Sequence, residues 1–432
     1  MPDKWPLANG LWSNAANWNG GTKPVAGDDV FADGRTVTVD ENFTVATLRS
    51  TQRSGGTIGG TFDFNTAGVS ANITSSSPLV AGATNLIQVT ATIGTVALSL
   101  GGNVAPRNVN NDVLILHSGN CNFTITGGIN INGANSGTPV TTISKTSAGT
   151  ITITGNLIGG TLDNQVEQAF VSNNGNTIII GNVTGGRGIN GANNKAINQS
   201  AGTLTVTGNV TGGQGSTTNQ GILFSGTSLT INGTILGGTA ATAVDTSAPN
   251  NNINGNITGG TVSAIFSSSA NIINVTGTAT ASASAPAISM TNANGQVYLN
   301  GNMVNNNGKM AIFAPIVWLD RTGTTSAAFF TSGGVARTLY SADTVPNTPA
   351  ANNVRSGTIY GAGNSLVGTL VMPVAANVRN GVVYDNGTTG TALFTTSLFL
   401  TELSASTVPV AVRMQNLCTP MVLGELMEAF KR

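Results

Sequence analysis

The segments ITITGNLIGG (151–160), TIIIGNVTGG (177–186), LTVTGNVTGG (204–213), LTINGTILGG (229–238) and NINGNITGG (252–260) decide the fold. Their first glycines, Gly155, Gly181, Gly208, Gly233 and Gly255, stand 26, 27, 25 and 22 residues apart. Weaker copies follow at Gly277 and Gly301 and precede at Gly127 and Gly101. A second motif lies between them: AFVS (169–172), AIN (196–198), GILFS (221–225), AVD (243–245), AIFS (264–267), AIS (287–289) and AIF (311–313), at steps of 27, 25, 22, 21, 23 and 24. Two independent motifs with one rhythm mark a repeat architecture.

The elements are short, β-branched and alternating, as in LTVT at 204–207, which is strand patterning. A propeller blade needs about 40 residues and four strands, more than this period holds. A coil of a parallel β-helix fits, expected right-handed, with about 22–28 residues per coil over 54–340. At about 4.8 Å per coil, nine or ten coils make a rod of about 45 Å. Inward Ile, Val, Leu and Phe fill a narrow core. Gly and Asn take the corners, and recurrent Asn or Thr bond to their equivalents in neighbouring coils.

Composition agrees. Charged residues make up 8% of the 432-residue chain, 17 basic against 17 acidic, and only eleven lie within 54–320. Stacked like charges at coil spacing would repel. Zero net charge with no basic cluster speaks against nucleic-acid binding. No apolar run of 18 residues predicts a membrane span, and the start, MPDKWPLANGLWSN, is not expected to be a Sec signal peptide. Cys121 and Cys418 are the only cysteines, so neither a disulfide framework nor a cysteine-based zinc site is expected. No cofactor is expected.

The ends differ from the middle. Residues 1–53 form an N-terminal lead-in carrying Trp5, Trp12 and Trp18 and the acids Asp28, Asp29, Asp33, Asp40 and Glu41. A solenoid exposes an unpaired strand edge that needs a cap, so the tryptophans read as cap packing. The rival reading is a glycan-stacking platform. Residues 341–400 hold a two-copy β module in which Arg355 and Arg379, and Tyr360 and Tyr384, correspond. It reads as a small β platform or as an oligomerisation or docking module. In 401–432, Thr419 and Pro420 open a short amphipathic helix whose apolar face includes Val422, Leu423, Leu426, Met427 and Phe430. That face is expected to bury on the chain itself, a second copy or a docking partner.

The tryptophan lead-in with its GDDV strand (27–30) resembles the start of many β-helices in extracellular adhesins and phage particle proteins. The repeated Val-Arg-x-Gly-x-x-Tyr…Gly-Thr module resembles short β units of tailed-phage structural proteins. The resemblance implies a non-enzymatic virion-exterior protein, assembled in the host cytoplasm: a capsid decoration or head fibre, or a tail spike or fibre. It also implies a homotrimer, contacts with other virion proteins, and a host surface glycan as a candidate ligand. The rivals are a secreted bacterial adhesin and a polysaccharide depolymerase.

Glycosidases need two carboxylates about 5–9 Å apart. Asp163 and Glu167, expected on a loop leaving one coil, are the catalytic candidates, with Asp320 beside Arg321 behind them. Asp28 and Asp29 are weak calcium candidates, because neighbouring side chains on a strand point to opposite faces. His117, the sole histidine, would have to serve any Ser-His-Asp triad, and reads better as a lone polar residue near a coil corner.

Overall fold

The computed structural model describes residues 2–341 except 83–84, 103–112, 131–139, 162–165, 191–192, 305, 307–309 and 320–337, and beyond them four short strands at 359–360, 366–367, 383–384 and 388–389. The chain divides into two compact units, Met1–Thr344 and Val345–Arg432.

The first unit is an all-β parallel solenoid. One coil runs through Ile197–Gln199 on a first face, Thr203–Thr207 on a second and Val210–Thr211 on a third. The next repeats this with Ile222–Phe224, Ser228–Asn232 and Ile235–Leu236. Register sets like on like: Ile197 meets Ile222, Leu204 meets Leu229, Val206 meets Ile231 and Val210 meets Ile235, all buried. Alternation along each strand sends these side chains inward and Thr205, Thr207 and Thr211 outward, so at these positions the core is a set of apolar columns running from coil to coil.

The first face contains 13 strands, from Gly10–Leu11 to Ile312–Phe313, and the second contains 13, from Phe43–Val45 to Thr338–Ser341. The third is split into a four-stranded sheet over Asp3–Lys4 to Leu79–Val80 and an eight-stranded sheet over Ile129–Asn130 to Met303–Val304. Thirteen strands at about 4.8 Å make a stack of about 58 Å. The rod is therefore longer than the nine or ten coils expected. The lead-in is part of the stack: Gly10–Leu11 and Thr36–Thr38 are the first two strands of the first face.

The recurring corner glycine has a steric cause. Gly208 has φ +150°, and a Cβ there would lie 2.2 Å from the carbonyl oxygen of Gly181 in the preceding coil. Gly181, at φ +155°, meets Gly155 in the same way. Only glycine accepts both the backbone angle and the contact. The asparagine after it completes the corner: Asn156 Oδ1 accepts from Asn182 N, Asn182 Oδ1 from Asn209 N and Asn209 Oδ1 from Thr234 N, each at 2.9 Å. The expected coil-to-coil ladder is present.

At the N-terminal end, Trp12 stacks on Phe43, which lies on the terminal strand of the second face, with centroids 3.8 Å apart. Trp18 packs edge-on to Trp12 at 4.9 Å and donates its indole N–H to the Trp12 carbonyl at 3.0 Å. These rings close the core where the second face has no earlier strand.

In the second unit, each copy of the two-copy module contains one antiparallel pair: Ile359–Tyr360 with Leu366–Val367, and Val383–Tyr384 with Thr388–Thr389. The expected helix, with Leu426 and Phe430, lies outside the described residues, as do Arg355 and Arg379. Among the described residues no helix is long and apolar enough to cross a membrane.

Candidate functional site

The reactive side chains of the solenoid gather inside it. Where each coil turns from the first face to the second, the last inward position of the first-face strand is often polar. His117, Lys145, Ser172 and Gln199 occupy it in four successive coils, in direct register and all buried. Their task is visible in their partners, the inward carbonyls of the corner. Lys145 Nζ donates to Ser147 O at 2.8 Å and to Asn174 O. Ser172 Oγ donates to Asn174 O at 2.9 Å, and Gln199 Nε2 to Ala201 O at 2.7 Å and Thr203 O at 3.0 Å. Buried carbonyls need donors, and these side chains supply them where no strand does.

His117 Nε2 lies 3.2 Å from Cys121 O, 3.5 Å from Ser147 Oγ and 3.8 Å from Cys121 Sγ. Burial, and then the charge of Lys145, depresses the imidazole to about 4, against the pull of the Cys121 and Gly119 carbonyls. Burial lowers the Lys145 ammonium to about 8 and pushes the Cys121 thiol up. A hydroxyl, an imidazole and an amine thus meet as in a nucleophile–base site. Here, however, His117 and Lys145 are wholly buried and Cys121 and Ser147 nearly so, and the thiol stays protonated. The cluster holds a corner together and offers no surface to a substrate from solution.

Of the expected carboxylate pair, Glu167 does not lie on a surface loop. Glu167 opens the strand Glu167–Ser172 of the first face and is fully buried against Gly160, while Asp163 lies outside the described residues, as does Asp320. The loop expectation for Glu167 fails because four successive residues from Glu167 to Phe170 are all buried, which periodicity does not reveal. Asp28 accepts from Val25 N at 2.9 Å, and Asp29 bonds Thr47 Oγ1 at 2.6 Å and Arg49 at 3.3 Å. Both are used within the fold, and no metal-binding group of three His, Cys, Asp or Glu occurs among the described residues. The tryptophans do not form a glycan platform either. Trp12 and Trp18 are core, and the half-buried Trp5 has the Arg53 guanidinium 4.0 Å from its ring centre.

The second face presents the most regular exterior. Its strands contain no charged residue. One outward column runs Thr205, Thr230, Asn252, Asn274, Tyr298, Trp318 in unbroken register. Asn274 Nδ2 donates to Asn252 Oδ1 at 3.0 Å, and beside them Asn254 Nδ2 donates to Asn232 Oδ1 at 2.7 Å. The Tyr298 and Trp318 rings are parallel within 2°, with centroids 5.6 Å apart. Gln296 Oε1 orients both, accepting from Tyr298 Oη at 3.1 Å and Trp318 Nε1 at 3.3 Å. The pair belongs to neither repeat motif. Its signal is positional: between Trp18 and Tyr340 the chain has no other tyrosine or tryptophan, and both fall on one outward column.

No family model, curated protein or solved structure matches this chain.

Proposed function

We propose that the chain is a non-enzymatic structural and adhesive rod on the exterior of a tailed-phage virion, as a capsid decoration or head fibre or as a tail spike or fibre. The observation that carries the structural and adhesive part is the distribution of chemistry in the solenoid. Its polar donors are spent on inward carbonyls, while an uncharged, regular face of hydroxyl and amide groups points outward. A stack of coils around a continuous buried core resists local opening, which suits a component exposed to proteases and shear. The virion setting rests on the resemblance of the GDDV lead-in and of the two modules built around Arg355, Tyr360, Arg379 and Tyr384. By the same resemblance the rod assembles with copies of itself and docks on capsid or tail proteins through the second unit.

Immunogold electron microscopy of phage particles, purified from the lysate in which this chain is made, tests the proposal. Gold over the head supports a decoration or head fibre. Gold at the tail supports a host-contact protein. Particles free of gold refute the virion reading.

A further inference from the structure

Tyr298 is 38% exposed on a face whose other outward residues are mostly threonine and asparagine. Exposure alone does not set it apart, since Ile180 on the same face is 46% exposed; the pairing and orientation of Tyr298 do. The pair it forms is also built: a shared acceptor, Gln296, holds Tyr298 and Trp318 parallel. Toward the preceding coils the column continues as Asn274 and Asn252.

We infer that Tyr298, Trp318 and Gln296, together with Asn274 and Asn252, form a binding site for a neutral polysaccharide strand lying along the second face. The C–H-rich faces of pyranose rings pack on aromatic surface, and sugar hydroxyls exchange hydrogen bonds with amides, which both donate and accept. The strands of the face carry no charge, so nothing there compensates a uronate or sulfate group brought out of water. Asn252 and Asn274 hold equivalent positions in successive coils, so neighbouring units of a polymer meet equivalent amides. A repeating ligand is therefore favoured over a single sugar.

The inference deepens the adhesive part of the proposed function and rests on it only for its biological setting. Affinity electrophoresis of the full chain tests it, in native gels containing dextran, hydroxyethylcellulose, mannan or galactomannan, with alginate and dextran sulfate as charged probes. Retardation by at least one neutral polymer and by neither charged one is expected. Tyr298→Ala should weaken the retarding interaction about tenfold, the scale of one aromatic contact with its buried area. Tyr298→Phe should stay within about threefold, because it keeps the ring and loses one hydrogen bond. Both variants alter an exposed side chain, and an unchanged far-ultraviolet spectrum and melting point verify the fold. Migration unchanged by every neutral polymer, equal retardation of wild type and Tyr298→Ala, or stronger retardation by the charged probes would each overturn the inference. Gold on the particle without retardation removes this site alone. Retardation without gold removes the virion setting and leaves the site.

Discussion

Acid should loosen the solenoid at one corner, and His117 sets the pH. The imidazole is fully buried beside the Lys145 ammonium, so its folded-state pKa is about 4 against an ordinary 6.5. As pH falls below 6.5 the opened chain takes up a proton that the folded chain refuses. Stability is therefore complete above 6.5 and is lost progressively down to about 4. The full difference corresponds to about 3 kcal/mol, or a roughly 300-fold change in the opening equilibrium. His117→Gln keeps a donor for Cys121 O and removes the titration. Amide hydrogen exchange followed by mass spectrometry over 113–130 and 141–147, corrected for the intrinsic pH dependence of exchange, reports the opening. Wild type should lose protection relative to His117→Gln by up to that factor between pH 7 and 4. Parallel profiles would refute the assignment and place the acid sensitivity elsewhere.

Lys145→Met removes the neighbouring charge and should raise the His117 pKa toward its ordinary value, so the acid loss of protection becomes smaller than in wild type and levels off at a higher pH. The same variant should abolish a gain that wild type shows in alkali. The Lys145 ammonium is lowered to about 8 from 10.5, so its burial penalty is relieved as pH rises through that window, and melting curves at pH 8 and 10.5 measure it. Gly208→Ala forces a Cβ against Gly181 O at a backbone angle alanine resists, and should destabilise by about 2 kcal/mol or more, read as a lowered guanidinium midpoint. Trp12→Ala removes the ring stacked on Phe43 and should cost about 3–5 kcal/mol locally, seen as protease cleavage confined to the first coils while the central coils stay protected.

The regular part of the fold is legible because stacking makes the sequence repeat itself. An inward position must suit its equivalents in the coils above and below, so Leu204, Leu229 and their like recur at the coil period. The glycine marks the rhythm because a Cβ at the corner would strike the preceding coil. The first hundred residues keep the step without the marker. Val37, Phe62 and Ile87 are 25 residues apart and in register, and of their three coils only the last reaches a matching glycine, Gly101. There the third face belongs to a separate four-stranded sheet, and the corner that demands glycine begins at Gly101, where a Cβ would lie 2.4 Å from Thr74 O, and continues at Gly127 beside the first strand of the eight-stranded sheet. The glycine rhythm therefore stops short of the rod's first coils. The buried polar groups were illegible for another reason. Alternation separates inward from outward only while apolar residues mark the inward side, and His117, Lys145 and Glu167 occupy inward positions as polar residues.

The corner ladder also bears on why the exterior is so plain. In a narrow solenoid, a turn between faces leaves carbonyls pointing into a core with no room for water, so a donor must come from a side chain. Serine and glutamine serve where they reach, and Lys145 spans the distance to Asn174 O at the cost of burying an ammonium. The interior thus consumes polar chemistry that another fold could display. What remains outside is set by the strand period: threonine and asparagine, which suit an exposed parallel sheet, bond coil to coil and carry no charge to stack. On such a face discrimination between ligands cannot come from charge. It must come from shape and from the places where the column departs from hydroxyl and amide, and among the described second-face strands the aromatic departure begins at Tyr298 and Trp318, with Tyr340 next in register. An adhesive role for this rod therefore predicts that specificity is concentrated near one end of the second face, and that exchanging the two rings for threonine leaves a rod of unchanged stability with its recognition removed.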